Sequence, residues 1–289
     1  MEIILRRKSS FIFIVLILFA FKLNAQQSII SANNVNDTIS IGRLVLYDLK
    51  QSVKGVGHSF TRPLHWKKKD FTTLGTVIIG AYALSTIDDE SSAFFVRNEQ
   101  HVPNLFQEVG TRFGSPQVYF IANASLYGFG LFTRNEKLRK TSVLIISSSF
   151  TSGIIQSLSK TAFGRVRPGN GYNSNEFRFW SNKAKFHSFP SGHTVLSVTM
   201  AHAIAKQFDN TWSKIGVYSL GAIAPISRLF SGAHWLTDVG IGAVLSIVIV
   251  DSIDKFLFKT KAYNYTKKEK QISWNFTFSG KGIGFIGTF

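Results

Sequence analysis

The residues best suited to chemistry fall in three short clusters in the second half of the chain. The first holds Lys160, Arg165, Arg167 and Pro168, with six residues between Lys160 and Arg167. The second is Pro190-Ser191-Gly192-His193, and the third runs from Ser227 and Arg228 to His234 and Asp238. Lys160, Arg167 and Arg228 supply fixed cations: an Arg fork matches the oxygens of a tetrahedral anion in pairs, and Lys acts as a point charge. Ser191 is a helix-capping type ahead of an apolar run, so the N–H groups of Ser191, Gly192 and His193 are expected to face an anion at the helix start. His234 and Asp238 stand at i and i+4, expected on one face of the helix that opens the next apolar run. A carboxylate bonded to one imidazole nitrogen fixes the tautomer and leaves the other nitrogen a lone pair for attack. Together these groups can hold a tetrahedral oxyanion, attack it and protonate what leaves.

Taken singly, each cluster has a plainer use. Basic residues at the ends of apolar helices snorkel to a membrane interface. Pro-Ser-Gly-His is an ordinary cap, and His234 with Asp238 is an ordinary capping pair. Their positions relative to the surrounding elements argue for more. Lys160 ends one apolar run and Arg228 ends another, where unpaired charge is costly unless it has a function. Pro168 disfavours helix at Arg167, which places that side chain on an extended loop.

Six apolar stretches organise the chain, near 71–87, 117–133, 141–159, 193–208, 213–227 and 236–258. Several are only 15–18 residues long, short of the roughly 20 needed to cross a bilayer. Glycines within them suit close helix packing in lipid. Residues 41–66 read as an amphipathic helix or interfacial segment, and 26–40 as a polar lead-in. Near the start, Arg6, Arg7 and Lys8 precede the apolar run 11–21, and Ala25 offers a small residue before Gln26. That is the layout of a secretory leader of bacterial style, or of an uncleaved anchor. The tail alternates Trp274, Phe276 and Phe278 with polar residues, which suggests one short hairpin.

A formal charge of +17 suggests nucleic acid or an anionic membrane as partner. The basic residues sit between apolar runs and form no recognised nucleic-acid motif, which favours the membrane. The absence of Cys excludes thiol nucleophiles and cysteine-ligated zinc. Connecting charge alternates: basic at 62–69, acidic from Asp88 to Glu108, basic again at 134–140 and after the last apolar run. The positive-inside rule then gives six spans with all three clusters on the outer face. A cleaved leader followed by six spans would reverse that orientation; the charge alternation is the stronger guide to the face of the site.

The joint pattern of Lys160, Arg167-Pro168, Pro190-Ser191-Gly192-His193, and Ser227-Arg228 with His234 and Asp238 resembles the type-2 phosphatidic acid phosphatase family. That family shares its fold with bacterial class A acid phosphatases and vanadium haloperoxidases. The resemblance covers about residues 70–258. It implies that His234 is the nucleophile, forming a phosphohistidine, and that Asp238 orients it. It implies that His193 protonates the leaving oxygen and then activates water. Lys160, Arg167 and Arg228 would bind the phosphoryl oxygens, helped by Ser191 and the Gly192 amide. Arg165 lies beside the first motif, which does not demand it. Two histidines divide the nucleophilic and acid–base work, so neither a metal nor a cofactor is required.

The expected architecture is an all-α bundle with a six-helix core, membrane-embedded, with a short β-like tail. Its expected parts are a leader or anchor at 1–25, a lead-in and amphipathic segment at 26–69, the helical domain at 70–258 and the tail at 259–289. The expected function is metal-independent hydrolysis of a phosphomonoester or pyrophosphate, on a membrane lipid, in the inner membrane of a bacterial envelope with the site facing the periplasm. A secreted acid phosphatase acting on soluble phosphomonoesters uses the same residues and is the alternative. A vanadate-dependent haloperoxidase is disfavoured by the six-residue gap between Lys160 and Arg167, which is typically longer in that branch. A transport or structural membrane protein with vestigial motifs is disfavoured by the complete set of charged groups.

Overall fold

Where each helix begins follows from local chemistry. In the computed structural model, residues 39–260 and 262–263 are described, with the backbone of 273–279 and 282–288. Ser40 caps α1 (Ile41–Thr61), Asn135 caps α6 (Glu136–Phe163) and Asn210 caps α8 (Thr211–Phe230), each accepting from a first-turn amide. Pro116 opens α5 (Pro116–Phe132), where its missing N–H is harmless. The remaining helices are α2 (Lys68–Ser85), α3 (Asp88–Arg97), α4 (Asn104–Phe113), α7 (Gly192–Ala205) and α9 (Leu236–Asp254).

All six apolar stretches are helices: α2, α5, α6, α7, α8 and α9. They alternate in direction, so their connections gather at two ends. One end brings together the start of α6 and the ends of α7 and α9, where Lys137 Nζ donates to the Gln207 carbonyl and Lys206 pairs with Asp254. The other end holds the three sequence clusters. Between them, α7 packs against α6, α8 and α9. Leu144, Ile145, Met200, Ala203, Ala224, Val250 and Ile253 belong to the buried core. The core face of α6 also carries Ser147, Ser149, Thr151 and Ser152, whose hydroxyls donate to carbonyls one turn back. Small, internally satisfied side chains let neighbouring helices approach closely.

The expectation of six spans needs correction. Among the described residues, two helical stretches are long and apolar enough to cross a membrane, Glu136–Phe163 and Leu236–Lys259. A third is possible if α2 and α3, which meet at a 56° bend, act as one span. Length is part of the reason. The 14 residues of α7 rise only about 21 Å, short of a hydrocarbon core of roughly 30 Å.

Two further helices, α3 and α4, occupy the acidic connection between α2 and α5. Asp88, Asp89 and Glu90 fill the first turn of α3, where carboxylates complement the helix dipole. Near the end of the chain, Ser273–Ser279 pairs antiparallel with Gly282–Thr288, and Phe276 stands opposite Phe285. The leader expected at 1–25 lies outside the described residues.

Candidate active site

Lys160 sits in the last turn of α6, which ends at Gly164 in the left-handed conformation with φ 58°. Only glycine suits that cap: a Cβ there would collide with the Arg178 carbonyl, and the Gly164 carbonyl accepts from Arg178 N at 2.7 Å. The chain then runs extended through Arg167, with φ −88° and ψ 148°. The Arg167 guanidinium turns inward and donates to the carbonyls of Ala184, His187 and Ala233 at 3.2–3.3 Å. A small apolar cluster of Val166, Phe186 and Trp235 supports this loop, with Trp235 Nε1 bonded to the Val166 carbonyl at 2.7 Å.

Ser191 caps α7, as its type predicts. Its own amide donates to the Asp238 carbonyl at 3.1 Å, so the expected three-amide anion site is reduced to Gly192 and His193. These two amides lie in the first helical turn, where N–H groups have no intrahelical partner. A Cβ on Gly192 would stand 3.9 Å from Lys160 Nζ, which puts that ammonium beside the helix start. His193 packs on Gly114, where a Cβ would meet the ring at 2.5 Å. Arg228, in the last turn of α8, donates to Ser227 Oγ and to Thr111 Oγ1 of α4.

The third cluster departs from expectation. His234 precedes α9, because Trp235 is the N-cap residue and helix begins at Leu236. Asp238 Oδ2 accepts from Trp235 N at 2.9 Å and from Ser188 Oγ, and Oδ1 accepts from Arg165 Nη1 at 2.8 Å. His234 Nδ1 lies 3.6 Å from Asp238 Oδ2, an ion-pair separation and not a formed hydrogen bond. The carboxylate still faces Nδ1, which leaves Nε2 for other chemistry.

Lys160, Arg167, Arg228, His193, His234 and Asp238 are close enough to act on one another's charge. Burial and the Arg228 charge push His193 down to about 4. Burial also lowers His234, opposed by Asp238 and reinforced by Arg167 and Lys160. Both imidazoles are therefore neutral near pH 7. An incoming anion would offset the part of that pressure that comes from the cations. Among the described residues, no group of three or more His, Asp or Glu side chains is arranged to hold a metal ion.

Sequence reasoning missed the groups behind the site. Asp88 and Asp89, at the start of α3, reach into it: Asp88 bonds Arg165 and Thr237, and Asp89 bonds Ser174. Two carboxylates directly after an apolar run were the available signal.

Three cations, two helix-start amides and two neutral imidazoles at one end of a helical bundle are groups that could hold a tetrahedral oxyanion. Residues 141–259 match the PAP2 superfamily. It is 25% identical over 271 residues to a lipid A 1-phosphatase of Porphyromonas gingivalis, covering 91% of this chain and 55% of that protein. This chain therefore spans about half the length of that relative. A probable diacylglycerol pyrophosphate phosphatase of Schizosaccharomyces pombe is 27% identical over 186 residues, covering 53% of this chain and 67% of that one. The crystal structure of a transmembrane PAP2-type phosphatidylglycerolphosphate phosphatase from Bacillus subtilis aligns with 70% of this chain and all of that one, at 20% identity and a TM-score of 0.49.

Proposed function

We propose that this chain is a metal-independent phosphatase that removes a terminal phosphoryl group from a membrane lipid. The observation that carries the reading is the convergence of Lys160, Arg167, Arg228, His193 and His234 on one end of the bundle. The candidate spans among the described residues favour a lipid substrate over a soluble one. The names of the two relatives share one chemical feature, a phosphoryl or pyrophosphoryl group on a lipid.

In the proposed reaction His234 Nε2 attacks phosphorus in line with the ester oxygen. The P–O bond breaks as the P–N bond forms, and His193 gives its proton to the departing oxygen. Lys160, Arg167, Arg228 and the Gly192 amide hold the charge on the equatorial oxygens. Water then attacks the phosphohistidine while His193 takes its proton, and the P–N bond breaks to release phosphate. The substrate equips its own acid. Burial and the neighbouring cations keep His193 neutral, and a bound phosphoryl dianion would offset the cations. Asp238 supports the charge that His234 acquires on phosphorylation.

A phosphate-release assay in detergent tests this, using phosphatidate, a lipid pyrophosphate, a lipid A 1-phosphate and a soluble monoester. Release from lipid substrates that survives EDTA and vanishes in His234→Ala is expected. Turnover of the soluble ester alone, or release that persists in His234→Ala, contradicts the reading.

A further inference from the structure

Behind Asp238 lies a buried charge triad with an unequal count. Arg165 is 3% exposed, and Asp88 and Asp238 are both fully buried. One guanidinium bridges the two carboxylates: Nη2 donates to Asp88 Oδ2 at 2.7 Å and Nη1 to Asp238 Oδ1 at 2.8 Å. Nε is bonded to the Ser174 carbonyl at 3.0 Å, and the guanidinium lies over the rings of Phe177 and Trp235. Asp88 is held in turn by Thr237, whose amide donates to Oδ1 at 2.9 Å and whose hydroxyl donates to Oδ2 at 2.8 Å.

Two carboxylates and one guanidinium leave a net charge of −1. If Asp238 and Arg165 stood alone they would cancel, and His234 would face a neutral pair. From this arrangement we infer that Asp88 is a positioning residue that balances Arg165, leaving the Asp238 charge directed at His234. This rests on the proposed phosphohistidine chemistry and adds to it a residue from a helix outside the three clusters. The benefit falls on the step in which the His234 ring becomes positive, because a buried counter-charge is most effective where water is excluded. Among the described residues, the other charged or titratable groups that act on His234 include Lys160 on α6, Arg167 on the loop and His193 on α7. None is negative, so the triad supplies the anionic side of the site.

The test is a signed pH profile in the full-length, detergent-solubilised protein, with phosphatidate as substrate. The acidic limb of kcat/KM reports the free enzyme's base, and ionisation of the substrate is common to all variants. Asp88→Asn is expected to lower kcat about 10- to 100-fold, the usual scale for a group that acts through a first contact. It is also expected to move the limb to lower pH by about one unit. Arg165→Gln is expected to move the limb to higher pH. The double variant restores the net charge, so it returns the limb to its wild-type position and recovers at least about tenfold in kcat over Asp88→Asn.

A purely structural role predicts otherwise: unchanged limbs, and a double variant no better than the worse single one. Either result overturns the inference. Should Asp88→Asn not fold, the double variant is read against wild type, and a displaced limb or an unfolded double variant overturns it. Loss of phosphohistidine chemistry itself shows separately, as turnover that persists in His234→Ala.

Discussion

The two ends of α6 each approach a buried Arg–Asp network, and the networks differ in what they leave over. At the start of the helix, Arg139 donates to both oxygens of Asp48 at 2.8 and 3.2 Å and to Tyr263 Oη at 3.2 Å. Tyr127 and Tyr263 also donate to Asp48. One cation meets one carboxylate, every lone pair has a donor, and the network closes on itself. It ties α1 and the segment after α9 to the bundle. At the other end, beyond Lys160, Arg165 is shared by Asp88 and Asp238, and the network opens toward His234. Arg139 and Lys160 are 21 residues apart on α6, about 30 Å along the axis. The same pair of residue types thus does two jobs. A balanced, saturated pair pins helices together, and an unbalanced one projects charge into a pocket.

The largest effect that could sharpen this contrast is in the site. Asp238→Asn keeps the shape and removes the charge facing His234. It is expected to lower kcat about 10²- to 10⁴-fold, the range for a lost acid–base partner, with phosphoenzyme formation slowed in proportion. A rapid-quench time course measures this. Equal rates in the variant and wild type would erase the distinction between the ends.

The distal network is expected to answer in stability. Asp48→Ala strands the buried Arg139 charge and is expected to cost about 3–5 kcal/mol, while kcat/KM per folded molecule stays within about twofold. Thermal unfolding in detergent with a parallel activity assay checks both. A selective loss of kcat without loss of stability would show that the distal network also serves the chemistry.

A smaller effect is expected at Gly164. Replacement by Ala forces a Cβ onto the Arg178 carbonyl at positive φ, at a cost of about 1–3 kcal/mol. The damage should reach the loop holding Arg167, so weaker inhibition by sulfate is expected along with a lower Tm.

The smallest effect concerns pH. His193 titrates at about 4 in the folded protein against an ordinary 6.5. Between those values the unfolded chain binds a proton that the folded chain refuses. Stability is therefore fully present above 6.5 and is lost as pH falls toward 4, by ~1–2 kcal/mol after allowance for the partial exposure of the ring. Sulfate in the pocket should raise the His193 titration and shrink the loss, and His193→Gln should abolish it. A stability profile that is flat from pH 6.5 to 4 in wild type would contradict the electrostatic picture.

Much of the pocket was legible because its chemistry depends on scarce residue types at fixed spacing. Lys160, Arg167, His193, Arg228 and His234 stand out against apolar runs, and the structure gathers all of them. The helices under those runs were legible for the same reason. The start of α9 was not, because i,i+4 spacing suggests a shared helical face whether or not both residues lie within the helix. The three-amide anion site at Ser191 was overcounted because nothing local reveals that the Asp238 carbonyl takes the Ser191 amide. The span count was overread because apolar composition was legible while the length of α7 depends on where tertiary packing ends it. Asp88 and Asp89 were legible only as loop charge, since their partners Arg165, Thr237 and Ser174 lie 77 or more residues away.

The central claim is that His234 carries the phosphoryl group. The most direct measurement is alkaline-quench mass spectrometry of the purified protein milliseconds after mixing with phosphatidate, in the presence of EDTA. The account predicts a phosphoryl adduct, stable to base and labile to acid, on the peptide containing His234, and its absence in His234→Ala. An adduct on His193, or steady phosphate release with no adduct on any histidine, would contradict it.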